Sequence, residues 1–173
     1  TAEKLFRDLF ERQASFAEAW PEIEAAGFPF LLTPESEGGF GGDWEDAFAV
    51  LRVAGVHALA APLAEAIAAA HVTRRAGWKP RDGLSVIATR NAGALANGRF
   101  TGSMAAPWGR AATHLIARVS DHVVRLAVAD AAVVHGANPA GEPRDTLRFE
   151  GACVEAAADD DVAGEAAVDA HAV

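Results

Sequence analysis

The chain has 173 residues, and 24 Asp and Glu against 15 Lys and Arg give it a formal net charge of −9. Nucleic acid and anionic membrane surfaces repel such a chain, so neither is predicted as a partner. Hydrophobic residues make up 51% of the sequence and charged residues 23%, which is typical of a globular protein with a buried core. The most apolar window, 58–72, contains Pro62 and Glu65 and is too short for a membrane span.

The cysteine and histidine content excludes the common disulfide and metal frameworks. Cys153 is the single cysteine, so the chain has no internal disulfide and no thiolate cluster. The six histidines include no pair at the i, i+4 spacing of a helical metal site, and no metal-binding residue is predicted. A single cysteine also favours a reducing compartment, so the cytoplasm is the predicted location.

The N-terminal half begins with the 3.6-residue period of an amphipathic helix. Apolar residues recur at steps of three and four over 2–20, which predicts one long helix, and a short helix is predicted from Pro21 to a left-handed Gly27. Residues 28–32 predict a short buried extended run. Residues 33–43 predict a shaped loop, because four of these eleven residues are glycine.

Two further helices are predicted after this loop. Asp43 is a good N-cap for a helix over 44–56, and Gly77 ends a second helix over 62–76. The first of these helices is expected to bury five apolar side chains: Ala47, Phe48, Val50, Leu51 and Ala54.

After Pro80 the sequence changes to short β-type runs separated by turn residues. Ser120 and Asp121 are too few to be anything but a hairpin turn between two strands. From Ala156 onward, alanine with acidic residues predicts the start of another helix or a frayed tail. The predicted fold class is therefore α+β, with an N-terminal helical subdomain followed by an antiparallel β-barrel-like subdomain.

Three stretches resemble the acyl-CoA dehydrogenase family, the flavin enzymes that desaturate acyl thioesters. The first is the loop after the short helix, which is similar to the family's Pro-Glu-x-x-Gly-Gly-x-Gly loop. The second, APLAEAIAAAHVTRRAGW, is similar to a Pro-Leu-Ala-Glu helix of the steroid-side-chain or divergent members, and the third, from Ala88 to about 155, resembles the family's middle β-domain. The loop residues that carry the first likeness are Pro34, Glu35, Gly38, Gly39 and Gly41.

The resemblance implies three segments: an N-terminal helical domain at 1–79, a middle β-domain at 80–155, and an acidic Ala-rich tail or the start of a missing C-terminal helical domain at 156–173. In the family that last domain supplies the catalytic Glu and the oligomer core, so no catalytic residue is expected in this chain. The resemblance further implies FAD as cofactor, an acyl-CoA substrate, an electron-acceptor flavoprotein, and homo- or hetero-oligomers formed through the C-terminal domain.

The resemblance also indicates which residues would contact the flavin. They are two residues at a strand end and the turn that replaces the family's Trp-Ile-Thr segment: Ala88, Thr89, Ala106, Pro107 and Trp108. Backbone N–H groups at strand ends can hydrogen-bond a flavin edge without special side chains. Trp108 is open to two interpretations, a ligand-facing ring or simple packing.

Three functions stay open at this level. The first is a truncated FAD-dependent acyl-CoA dehydrogenase that is inactive as this fragment. The second is a flavin-free, non-catalytic scaffold subunit of a heteromeric acyl-CoA dehydrogenase, which keeps the fold and pairs with a complete partner. The third is an unrelated β-barrel ligand carrier with a helical cap.

Overall fold

A computed structural model describes residues 1–158, and the α+β prediction is confirmed. The chain divides into two compact units, one formed by Thr1–His71 and one that begins at Val72. The domain boundary expected between 79 and 80 stays a prediction. Four α-helices come before the first strand: α1 (Ala2–Glu11), α2 (Phe16–Ala25), α3 (Trp44–Val56) and α4 (Leu63–Arg75).

The single helix predicted over 2–20 is wrong, because the structure has two helices there. Ser15 precedes α2 and donates hydrogen bonds from its backbone N–H and its Oγ–H to Oε2 of Glu18, at 2.9 and 2.6 Å. This capping box starts a new helix, and Gln13 between α1 and α2 takes a left-handed φ of 51°. Pro21 does not restart the chain, since it lies inside α2.

The extended run predicted at 28–32 is also wrong. Phe28–Phe30 form one 3₁₀ turn, in which the Phe30 N–H donates to the carbonyl of Gly27 at 2.9 Å. Gly27 has a φ of 78°, as predicted for the residue that ends the preceding helix. Pro29 has no N–H to donate to a neighbouring strand, so this short segment forms a local turn in place of a strand.

The shaped loop and the start of α3 are as predicted, but the packing of α3 differs. Asp43 Oδ1 accepts from the N–H groups of Glu45 and Asp46 at 2.8 and 3.0 Å. Of the five side chains expected in the core, only Ala47 and Ala54 are buried, and Phe48 is 67% exposed. The buried residues of α3 are thus alanines, and Phe48 faces solvent.

The described part of the second unit, residues 72–158, contains two separate four-stranded sheets. Eight strands follow one another: β1 (Ser85–Ile87), β2 (Arg90–Ala96), β3 (Arg99–Pro107), β4 (His114–Val119), β5 (His122–Ala127), β6 (Ala131–Val134), β7 (Arg144–Cys153) and β8 (Glu155–Ala158). The first sheet has the order β1-β4-β5-β8 and the second the order β2-β3-β7-β6. The barrel-like expectation is corrected here, because the sheets are not closed into a barrel, and β1 pairs with β4 in parallel.

Two details of the strands bear on the sequence predictions. Val119 pairs with His122, so Ser120 and Asp121 form the predicted hairpin turn. The helix or tail predicted from Ala156 is wrong at its start, because Glu155–Ala158 pair with β5 as a strand. The rest of that predicted segment lies outside the described residues.

The core of the second unit is formed by large side chains of the two sheets. Phe100 and Phe149 meet edge to face with their ring centroids 5.9 Å apart, and both are buried. None of the helices within residues 1–158 is long and apolar enough to cross a membrane. Within those same residues, His, Cys, Asp and Glu side chains form no group of three or more that could hold a metal ion.

Candidate cofactor site

The pairing of β2 with β3 brings the two halves of the predicted cofactor site together. Arg90 pairs with Ala105, which places Thr89 beside Ala106 at the ends of the two strands. Ala106 and Pro107 are buried, whereas Thr89 is exposed. The five predicted residues therefore surround one end of the second sheet.

The backbone donors at the strand end are already engaged within the protein. The N–H of Ala88 donates to the carbonyl of Ile116 at 2.8 Å, and the N–H of Thr89 donates to the carbonyl of Ala105 at 2.9 Å. The Thr89 hydroxyl donates to the same Ala105 carbonyl at 3.2 Å. These bonds fix the crossing from β1 to β2.

Trp108 starts the turn that follows β3. It is half-buried and has a φ of 53°, an uncommon conformation for a bulky residue. Its N–H donates to the carbonyl of Pro143 at 3.1 Å, and its carbonyl accepts from the N–H groups of Ala111 and Ala112 at 2.9 and 3.1 Å. One long-range and two local hydrogen bonds thus hold the left-handed residue in place.

An ion pair behind this turn was not predicted from the sequence. The backbone N–H of Arg110 donates to Asp145 Oδ2 at 2.7 Å, and its guanidinium donates to Asp145 Oδ1 at 2.6 Å from Nη2 and 3.0 Å from Nε. The N–H of Gly136 adds a bond to Asp145 Oδ1 at 3.1 Å. The Asp145 side chain is 0% exposed and that of Arg110 is 35% exposed.

The environment of Asp145 lowers the pKa of its carboxyl group. Burial by itself would raise this pKa, but the hydrogen bonds from the Arg110 side chain and from the backbone N–H groups of Arg110 and Gly136 outweigh it. The carboxylate stays ionised and ties the 3₁₀ turn Gly109–Ala111 to the first residues of β7. Its role is therefore to position the turn that begins at Trp108.

The hydrogen bonds just described decide how well the predicted residues fit a flavin. The N–H groups of Ala88, Thr89 and Trp108 all have protein acceptors. Pro107 has no N–H, and the Thr89 hydroxyl hydrogen is also engaged. The strand end therefore does not offer these donors to a flavin ring, and the assignment of these residues as cofactor contacts stays a prediction.

Comparison with known proteins gives likenesses in structure only. The sequence matches no protein-family model and no curated protein. The ChsE4-ChsE5 complex from Mycobacterium tuberculosis matches 98% of this chain at 21% identity and a TM-score of 0.73, over 57% of its own chain. A variant of the Tcur3481-Tcur3483 steroid ACAD, an acyl-CoA dehydrogenase, matches 93% of this chain at 17% identity and a TM-score of 0.72, also over 57% of its own chain.

A glutaryl-coenzyme A dehydrogenase in complex with glutaryl-CoA is more distant. It matches 98% of this chain at 11% identity and a TM-score of 0.54. The chain thus spans 57% of the length of each of these three structures. At these identities the likeness shows the fold, and the fold is that of the N-terminal helical and middle β-domains of the acyl-CoA dehydrogenase family.

Proposed function

We propose that the chain is a flavin-free, non-catalytic subunit of an acyl-CoA dehydrogenase assembly. The support is the set of hydrogen bonds at the strand end, where Ala88, Thr89 and Trp108 give their N–H groups to protein carbonyls. A flavin enzyme needs its protein to orient the cofactor ring through hydrogen bonds. A turn whose donors are already engaged suits a subunit that keeps the fold and leaves the flavin to a partner chain.

The second candidate is a FAD-dependent acyl-CoA dehydrogenase that desaturates acyl-CoA thioesters of fatty acids or steroid side chains. The observation that favours it is the meeting of Thr89 with Ala106, which forms the strand end expected for a flavin. In that case the base would lie outside this chain, and a flavoprotein would accept the electrons. Both candidates place the protein in the cytoplasm and in an oligomer.

Flavin retention separates these two candidates. We expect the purified chain to elute from desalting without the visible absorbance of a flavin, and added FAD to give no acyl-CoA-dependent reduction of an electron acceptor. The reason is that the N–H groups of Ala88, Thr89 and Trp108 already donate to protein carbonyls. Equimolar FAD on the purified chain would contradict the flavin-free subunit and support the second candidate.

Replacement of Trp108 by alanine tests whether this ring belongs to the core. Because the side chain is only half-buried, we expect the free energy of unfolding to fall by about 1–2 kcal/mol. The matched control is Trp78→Ala, since Trp78 is 9% exposed and stacks against the Arg125 guanidinium at 5.1 Å. Urea unfolding should show the larger loss for Trp78, and equal losses would mean that Trp108 is a core residue.

A further inference from the structure

The formal charge of the chain is divided unequally between its two units. Residues 1–71 contain 12 Asp and Glu against four Lys and Arg, a net charge of −8. Residues 72–173 contain 12 Asp and Glu against 11 Lys and Arg, a net charge of −1. The helical unit therefore carries nearly all of the excess negative charge, and a cationic protein surface is its electrostatic complement.

One face of the second sheet combines cationic and small side chains. Alternation along the strands places on it, among others, Arg90, Ala92, Ala94 and Ala96 from β2, Thr101, Ser103 and Ala105 from β3, Thr146, Arg148 and Glu150 from β7, and Ala132 and Val134 from β6. We call this the outer face. All of these side chains are exposed or half-buried, and Val134 is 47% exposed.

Two arginines of the outer face have no partner among the residues that the structure describes. Within residues 1–158, neither the Arg90 nor the Arg148 guanidinium takes part in a hydrogen bond or ion pair. Arg90 pairs with Ala105 and Arg148 with Ser103, so the two arginines stand on either side of β3. From strand spacing their Cα atoms are roughly 12 Å apart. Between them the sheet carries only small side chains, which allow a partner to approach closely.

The helical unit exposes side chains of the opposite charge. Between Arg12 and Arg52 the sequence has no Lys or Arg. The loop before α3 and the first turns of α3 expose acidic and aromatic side chains, and we call this the acidic patch: Glu35, Glu37, Phe40, Glu45 and Phe48. Phe40 is 53% and Phe48 67% exposed. Among the described residues the Glu35 and Glu45 carboxylates have no hydrogen-bond or ion-pair partner.

We propose that the outer face binds the acidic patch of a second copy of this chain. Arg90 and Arg148 meet the carboxylates of the patch, while the exposed phenylalanine rings cover the small residues between them. The proposed contact is reciprocal: each copy gives its patch to the face of the other, and a reciprocal contact closes as a dimer with twofold symmetry. The contact joins charges that are otherwise exposed to water, so salt must weaken it.

Sedimentation of the purified chain tests the proposed dimer. We expect a dimer at about 50 mM salt and at least a roughly 10-fold higher dissociation constant at about 500 mM, because the Debye length falls from about 14 to about 4 Å. Arg90→Glu with Arg148→Glu should abolish the dimer. The control Lys4→Glu with Lys79→Glu changes the net charge equally at exposed sites outside both surfaces, and it should keep the dimer.

Reversing the charges of both surfaces distinguishes a specific contact from a dimer that any mutation would weaken. The variant Glu35→Lys with Glu45→Lys should also be monomeric, because its patch repels the arginines of the outer face. When it is mixed with the Arg90→Glu, Arg148→Glu variant, both reciprocal contacts regain opposite charges, and a mixed dimer should form. Thermal unfolding of each variant checks that it is folded, which is expected since all four positions are exposed.

Three results would overturn the proposal. The first is a wild-type chain that stays monomeric at low salt, and the second is a dimer that the arginine reversals leave intact. The third is a mixture of the two swapped variants that stays monomeric. A wild-type chain that remains monomeric but binds a single-stranded DNA oligonucleotide through Arg90 and Arg148 would assign the outer face to a different occupant. Flavin content is measured separately, so failure of the dimer does not decide the proposed function.

Discussion

Replacing Asp145 by alanine is expected to lower the free energy of unfolding by about 2–4 kcal/mol. The substitution removes the acceptor for the backbone N–H groups of Arg110 and Gly136, and both donors lie beside a side chain that is 0% exposed. It also removes the partner of the Arg110 guanidinium. Because that guanidinium is 35% exposed, water takes over part of the lost interaction, which keeps the loss below that of a fully buried pair.

Chemical denaturation of two further variants separates the ion pair from the space that the side chain fills. Asp145→Asn keeps the shape and one acceptor oxygen, and we expect about half of the alanine effect. Glu142→Ala is the control for a surface ion pair. Nη2 of Arg144 lies 3.4 Å from Oε2 of Glu142, and the Glu142 and Arg144 side chains are 49% and 42% exposed. Glu142→Ala should lower the free energy of unfolding by less than about 1 kcal/mol. A loss at Asp145 as small as that at Glu142 would contradict the positioning role.

The same carboxylate gives this stability a defined dependence on pH. The pKa of Asp145 in the folded protein lies below its ordinary value of 3.8. A lowered pKa contributes stability that is fully present above the unfolded value and is lost as the pH falls through the folded value. The difference in stability between wild type and Asp145→Asn should therefore be constant above about pH 5 and shrink below pH 4. A difference that stays constant in acid would mean that folding does not lower the pKa of Asp145.

The parts of the fold that the sequence predicts well are those with a strong local signal. The Asp43 cap, the two-residue turn at Ser120 and the change from helical to alternating periodicity near Pro80 all correspond to features of the structure. The break between α1 and α2 had a local signal too, since Ser15 and Glu18 have the spacing of a capping box. The apolar spacing of three and four residues continues across Ser15, and for that reason the sequence predicts one helix where the structure has two.

Other features could not be predicted because they depend on residues far apart in the chain. Arg110 and Asp145 are separated by 35 residues, and no spacing rule links a turn residue to the start of a distant strand. The parallel pairing of β1 with β4 likewise depends on topology. Phe48 is exposed although its position in the helical period favours burial, because α3 packs through its alanines. The resemblance to a family selected the strand-end residues, but their hydrogen bonds could only be seen in the structure.

The close approach of β2 and β3 connects the fold to the proposed dimer. Gly93 pairs with Gly102 across these strands, and a Cβ on Gly102 would lie 2.3 Å from the carbonyl oxygen of Ala92 and 2.5 Å from the Cα of Gly93. Both contacts are with backbone, so no side chain can move aside. Gly102 also has a φ of 151°, which residues with a Cβ rarely adopt.

Gly102→Ala is therefore expected to lower the free energy of unfolding by about 2–5 kcal/mol, through backbone strain together with displacement of β2. The matched control is Gly55→Ala in α3, where a Cβ would meet nothing within 4 Å and helix propensity should raise stability by about 0.5–1 kcal/mol. Since β2 carries Arg90, displacing this strand should also weaken the dimer at temperatures where the variant is still folded. A Gly102→Ala chain with wild-type stability and an unchanged dissociation constant would show that the spacing of β2 and β3 is not needed for either property.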